Sequence, residues 1–231
     1  MKGRFLITIL LFVSLSGFNQ NLQLHYDLGK ARNGTDRDRG FFTSTVEMFR
    51  TDGYGSTFFF IDLDYNGDKG ISRGYMEMAR NIGYGKFPLQ ARVEYNGGLL
   101  LSDTAKGASI PNAWLFGVNY PVKIGAASLG TYLVYKHIAH NINGPDFQWT
   151  INWNYPILKG KFTFNGFFDI WSTDKTGNGK KLVILSEPQL WYNIKPYISI
   201  GSEVEVSRNF YFWMSGLRAF PTVALKATFR K

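Results

Sequence analysis

Carboxylates, rings and amides recur along this 231-residue chain two residues apart, and any chemistry it performs must use that spacing. Glu47 precedes Phe49, Arg92 precedes Glu94, Asp169 precedes Trp171, Glu187 precedes Gln189 and Glu203 precedes Glu205, with Glu77 in a similar stretch. A period of two places the members of each pair on one face of a β-strand. Rings beside carboxylates suit a solute that has a π-face and a rim of hydroxyls. Stacking contributes ~1–3 kcal/mol per base, while a carboxylate or the Gln189 amide oxygen can accept hydroxyl protons. Weak sites in series would hand such a solute along, because conduction requires release. The alternative is that these charges pair with one another and close a structural or receptor protein.

Other constellations fall short of a site. His137 and His140 have metal-like spacing only on a helix, and they read as loop histidines. Residues 64–70 imitate the start of a calcium loop, but Lys69 stands where the turn needs Gly and Tyr75 where a bidentate Glu is needed, which leaves at most a looser calcium site at a rim. Gly53-Tyr54-Gly55 and Gly83-Tyr84-Gly85 read as turns. No Gly-x-Ser-x-Gly elbow exists, and His25, by parity, faces away from lipid, so an enzyme is not expected. No cofactor or bound metal is expected either.

The elements that carry the pairs must be strands. Twenty Phe, thirteen Tyr, six Trp and twenty-five Gly favour pleated structure with tight turns, and the absence of Cys excludes a disulfide scaffold. From about residue 20 the chain divides into segments of roughly ten residues, enough for a tilted strand to cross a bilayer core. Leu22, Leu24 and Tyr26 oppose Gln23, His25 and Asp27; Phe147, Trp149, Ile151 and Trp153 oppose Gln148, Thr150 and Asn152. Phe162, Phe164, Phe168 and Ile170 form a face too apolar for water, so the opposite face must line a lumen. Two stretches resist this alternation. Met76, Met78 and Ile82 share a face with Arg80, and Val183 and Leu185 point to the polar side of 182–192.

Twelve strands separate longer connections at 29–40, 67–74, 102–111, 137–146, 173–180 and 207–216 from tighter ones at 51–56, 83–88, 120–123, 155–160 and 193–196. Long loops at one rim and short turns at the other are what an up-and-down outer-membrane barrel shows. Closure also pairs every backbone amide, which lipid requires. The expected fold is therefore an all-β, twelve-stranded antiparallel transmembrane barrel over 19–231, both termini at the periplasmic rim. Residues 1–18 read as a cleaved signal peptide: Lys2 and Arg4, then apolar 5–13, then small residues ending in Gly17. The net charge of +9 is dispersed along the chain, so nucleic acid is not an expected partner.

Short motifs add a family. Val46-Glu47-Met48-Phe49 resembles a Glu-aromatic segment of the nucleoside-specific Tsx channels of bacterial outer membranes, Tyr75-Met76-Glu77 is similar to a Phe-Met-Glu piece, and 167–174 resembles an aromatic, Asp, Trp, Ser, Asp run. The likeness is nearer to an uncharacterised Bacteroidetes-type branch. It implies a monomeric outer-membrane barrel through which nucleosides diffuse passively. The eleven paired or patterned residues that open this section are the lumen candidates for solute contact.

Overall fold

The computed structural model describes residues 20–29, 39–65, 70–83, 87–101, 106–175, 177–211 and 216–229. The expected signal peptide, most of the calcium-like loop (66–69) and the core of the second Gly-Tyr-Gly turn (84–86) lie outside them.

Every described element is a strand. The chain runs through β1 (Gln20–Asp27), β2 (Phe42–Asp52), β3 (Gly55–Tyr65), β4 (Ile71–Ile82), β5 (Gln90–Leu101), β6 (Gly107–Ile124) and β7 (Ala127–Ile138). It continues through β8 (Asp146–Ile157), β9 (Phe162–Asp174), β10 (Lys180–Ser186), β11 (Gln189–Lys195), β12 (Ile198–Arg208) and β13 (Leu217–Phe229). Each pairs antiparallel with its neighbours around the sheet, and β1 closes the ring against β13, with Gln20 opposite both Met48 and Phe229. β10 and β11 are two halves of one strand. Ser186 faces Phe168 of β9 and Gln189 faces Asn165, an unbroken register, and the same continuity holds against β12. Pro188 interrupts the ladder only because it has no N–H; its carbonyl still accepts from Val204 N at 3.0 Å. The result is the expected closed barrel of twelve strands.

The outer surface is apolar, as lipid demands. Leu133, Leu182, Leu190, Ile200, Val223 and Leu225 all point outward and are exposed. Exposed Tyr54, Tyr120, Tyr155 and Tyr197 mark the rim of short turns, where amphipathic rings suit a membrane interface. Arg80 does share the outer face with Met78 and Ile82. It lies near that rim and grips Asp52 through two hydrogen bonds, 2.7 and 2.9 Å, plus Thr57 Oγ1 at 2.9 Å, so its charge is satisfied away from the midplane.

Several connections differ from expectation. The turn expected at 120–123 is strand: Pro121 faces Gly130 and Lys123 faces Ser128. The hairpin closes instead at 125–126, where Gly125 takes φ +58 without steric cost. The loop expected at 102–111 is shorter, because β6 begins at Gly107 and Pro111 sits at a register shift between Asn96 and Gly98, a bulge that needs no N–H there. β4 likewise begins at Ile71, with a shift opposite Asp64 and Tyr65. Val183 and Leu185 do face inward, opposite Trp171 and Asp169.

Candidate functional site: the barrel lumen

Inward residues of all strands enclose one cavity of about 2160 Å³. Its lining reaches from Gln90, Lys123, Lys159 and Pro196 at the short-turn rim to Arg39, Asp174, Asn209 and Phe210 at the rim of longer loops. All eleven candidate residues lie on inward-facing positions, spread over the height of the barrel rather than gathered at one point.

One wall is acidic. Glu47, Asp62, Glu187 and Glu203 come from β2, β3, the Pro188 break and β12, and Glu187 stands within electrostatic reach of Glu203, Glu205, Asp62 and Glu77. Most of these carboxylates are held by neutral donors rather than cations: Asn21 Nδ2 donates to Glu47 at 2.9 Å, Thr45 Oγ1 to Asp62 at 2.5 Å, and Gln189 Nε2 to Glu203 at 2.5 Å. The Gln189 oxygen in turn accepts from Asn165 at 2.8 Å and from the Trp191 indole at 2.9 Å. Trp191 is fully buried, with Lys226 Nζ 3.9 Å from its ring centroid and His25 edge-on at 5.9 Å.

The facing wall is packed. Arg92 donates from Nε to Glu94 Oε2 at 2.9 Å and from Nη1 to Asn81 at 3.1 Å, and its guanidinium lies 3.7 Å from the centroid of the Tyr132 ring. Glu94 is only 1% exposed, so among the candidates it serves Arg92 rather than a passing solute. Beside it Lys136 donates to Gln148 at 2.7 Å and lies 4.4 Å from the Trp171 ring centroid, within electrostatic reach of Glu77, Asp169 and Glu94. Thr150 donates to Asp169, and Tyr75 donates to Glu77 at 2.7 Å. Below this layer a stripe of rings descends toward the short-turn rim: Tyr75, Phe60 and Phe58 follow at 6.0 and 5.9 Å, and Phe58 is registered opposite Phe49.

Lys136, Tyr75 and Arg39 belong to the lumen without having been singled out from sequence. Lys136 and Tyr75 had a signal, since each shares parity with an inward neighbour, Tyr132 and Glu77. Arg39 had none, because it precedes β2. Its side chain enters the lumen, pairs with Asp27 at 2.5 Å and Glu205 at 3.8 Å, and donates to Tyr211 Oη at 3.3 Å. Burial opposes its charge, but Tyr211, Glu205 and Asp27 outweigh that and hold its pKa above the ordinary value. Burial, and then Glu205, push the Tyr211 phenol up. His137 and His140 are both exposed, His140 in the loop as expected but His137 within β7, opposite Trp114.

Two porins share this architecture among solved structures. The NanC porin superposes with TM-score 0.56 at 11% identity, covering 92% of this chain and 100% of its own. The KdgM porin gives 0.51 at 10% identity, over 92% and 99%, and its form in complex with disordered oligogalacturonate gives 0.50. No curated protein matches the chain by sequence. The profile of the family described as "Domain of unknown function (DUF5020)" matches residues 19–229, and across that whole length the chain belongs to this family.

Proposed function

We propose that this protein is a bacterial outer-membrane channel for passive diffusion of nucleosides or similarly sized ring-bearing solutes, exported through the signal peptide at 1–18 and acting as a monomer. The observation that carries this reading is the cavity itself: it is lined from one rim to the other, with the ring stripe from Tyr75 to Phe49 running beside the carboxylates Glu47 and Asp62 on β2 and β3. A closed structural barrel would fill that space with side chains. Closure of the sheet on itself leaves no strand edge to pair with a second copy, which supports the monomer.

Charge favours a neutral solute over the uronate chain held by the KdgM porin. Glu47, Asp62, Glu187 and Glu203 line the cavity, whereas among the cations that also line it Arg39, Arg73 and Arg92 are paired with carboxylates and Lys136 and Lys226 lie over the Trp171 and Trp191 rings. Like charges in a confined lumen repel a polyanion. Rings beside hydroxyl-accepting groups match the nucleoside specificity that the Tsx resemblance implies. Single-channel recording in planar bilayers tests the reading: steady conductance that adenosine lowers reversibly supports a ring-binding channel, and the absence of conductance contradicts it.

A further inference from the structure

The loop ends at the rim of longer connections do not stand clear of the lumen. On one side Arg39 enters from the segment before β2. On the other, Asn209 takes a left-handed conformation at φ +60, donates to the Leu182 carbonyl at 2.9 Å and accepts from Lys181 Nζ at 3.0 Å. That bend turns Phe210 and Tyr211 inward. Asn tolerates this backbone region better than most residues.

The two ends meet inside the mouth. Phe210 packs edge-on against Trp171 of β9 at 6.0 Å and against Tyr211 at 5.0 Å. Tyr211 contacts the Phe220 ring of β13 at 6.3 Å and donates to Glu205 of β12 at 2.7 Å. Arg39 lies 3.8 Å from the Phe220 centroid, pairs with Asp27 of β1 and bonds to Tyr211. The Arg39 side chain is 7% exposed, and Phe220 is fully buried. Together these contacts run from β9 past β10, β12 and β13 to β1, touching five of the twelve strands at this end of the barrel.

We propose that Arg39 and Tyr211 form the size-limiting constriction of the channel, at the extracellular mouth, set by two loop ends clamped against one side of the barrel. This rests on the channel reading above. The clamp is rigid because each part is held more than once. Arg39 has two carboxylates, a phenol and a ring face; Tyr211 has a carboxylate and two rings. A solute passes between this clamp and the remaining wall, so the clamp, rather than the barrel diameter, decides the largest solute that enters.

Single-channel conductance and proteoliposome swelling with a graded series of neutral sugars would test this on the full-length mature protein and two variants, Arg39→Gln and Tyr211→Ala. Heat-modifiable migration would confirm assembly. Raised conductance and entry of larger sugars in either assembled variant would support the constriction. Conductance and sugar cut-off unchanged from wild type in every assembled variant would overturn it. If Arg39→Gln fails to assemble, Tyr211→Ala, which removes only a loop side chain, decides alone. A wild-type protein with no conductance would instead sink the channel reading, a result distinct from both.

Discussion

Gly166 lies against the Glu187–Pro188 backbone so closely that a Cβ on it would come 2.4 Å from the Glu187 carbonyl oxygen and 2.9 Å from Pro188 Cα. That approach, with φ +150 at Gly166, lets a proline sit within a membrane-crossing strand while the register on both sides continues. The glycine thereby fixes where Glu187 and Gln189 project into the lumen.

Gly166→Ala is therefore expected to impair assembly. The backbone conformation alone costs a non-glycine residue about 1–3 kcal/mol, and the contact with Glu187 adds to it. Gly53→Ala, at a turn with open space around it, should be nearly silent. Refolding into detergent micelles, read as the fraction that migrates in the heat-modifiable form, compares them. Equal yields for both would contradict the close packing at Pro188.

The two faces of the wall should respond oppositely. Leu133 faces lipid midway along β7, and Leu133→Arg should cost about 2–4 kcal/mol of membrane stability. Phe164 stands near the start of β9, toward the short-turn rim, so Phe164→Arg should cost less. Replacing Asp169 and Trp171 together with Ala should alter flux and leave assembly intact, since both line the cavity. Comparable assembly loss from the lumen pair and Leu133→Arg would show the inward face to be misassigned.

A lumen with Glu47, Asp62, Glu187 and Glu203 on one wall should prefer small cations. Reversal potentials under a potassium chloride gradient should show that preference, and Glu187→Gln with Glu203→Gln should reduce it. Raising the salt toward 1 M, where the screening length falls to about 3 Å, should weaken it further. A wild-type preference for chloride would contradict the electrostatics of this wall.

Orientation follows from the loops, the longer ones facing outward. A small tag inserted at Asn178, exposed between β9 and β10, should be labelled on intact cells, whereas one at Lys159, in the β8–β9 turn, should not. The reverse pattern would invert the barrel and move the Arg39 clamp to the periplasmic mouth.

The fold was legible because lipid outside and water inside impose a strict period of two, which Phe147 to Asn154 display residue by residue. The same parity placed Glu47, Asp169 and Glu203 correctly in the lumen. It failed where something other than side-chain environment decided the outcome. Pro121 resembled a turn, yet Gly125 offered the cheaper left-handed conformation. Arg80 contradicted its face until Asp52 supplied a partner from across the β2–β3 hairpin. Parity also says which residues face inward but not which of them are already engaged, so Glu94, bonded by Arg92, looked equivalent to Glu187. Arg39 lay beyond reach for another reason: a loop residue has no periodicity, and the groups that hold it are as distant in sequence as Tyr211, 172 positions away, and Phe220.

Solute uptake by proteoliposomes carrying the purified barrel tests the proposed specificity most directly. Uridine or thymidine should enter faster than a disaccharide of comparable size, and added adenosine should slow that entry by competing for the ring stripe. Entry of nucleoside and disaccharide at indistinguishable rates, unaffected by adenosine, would contradict it and leave an unselective pore.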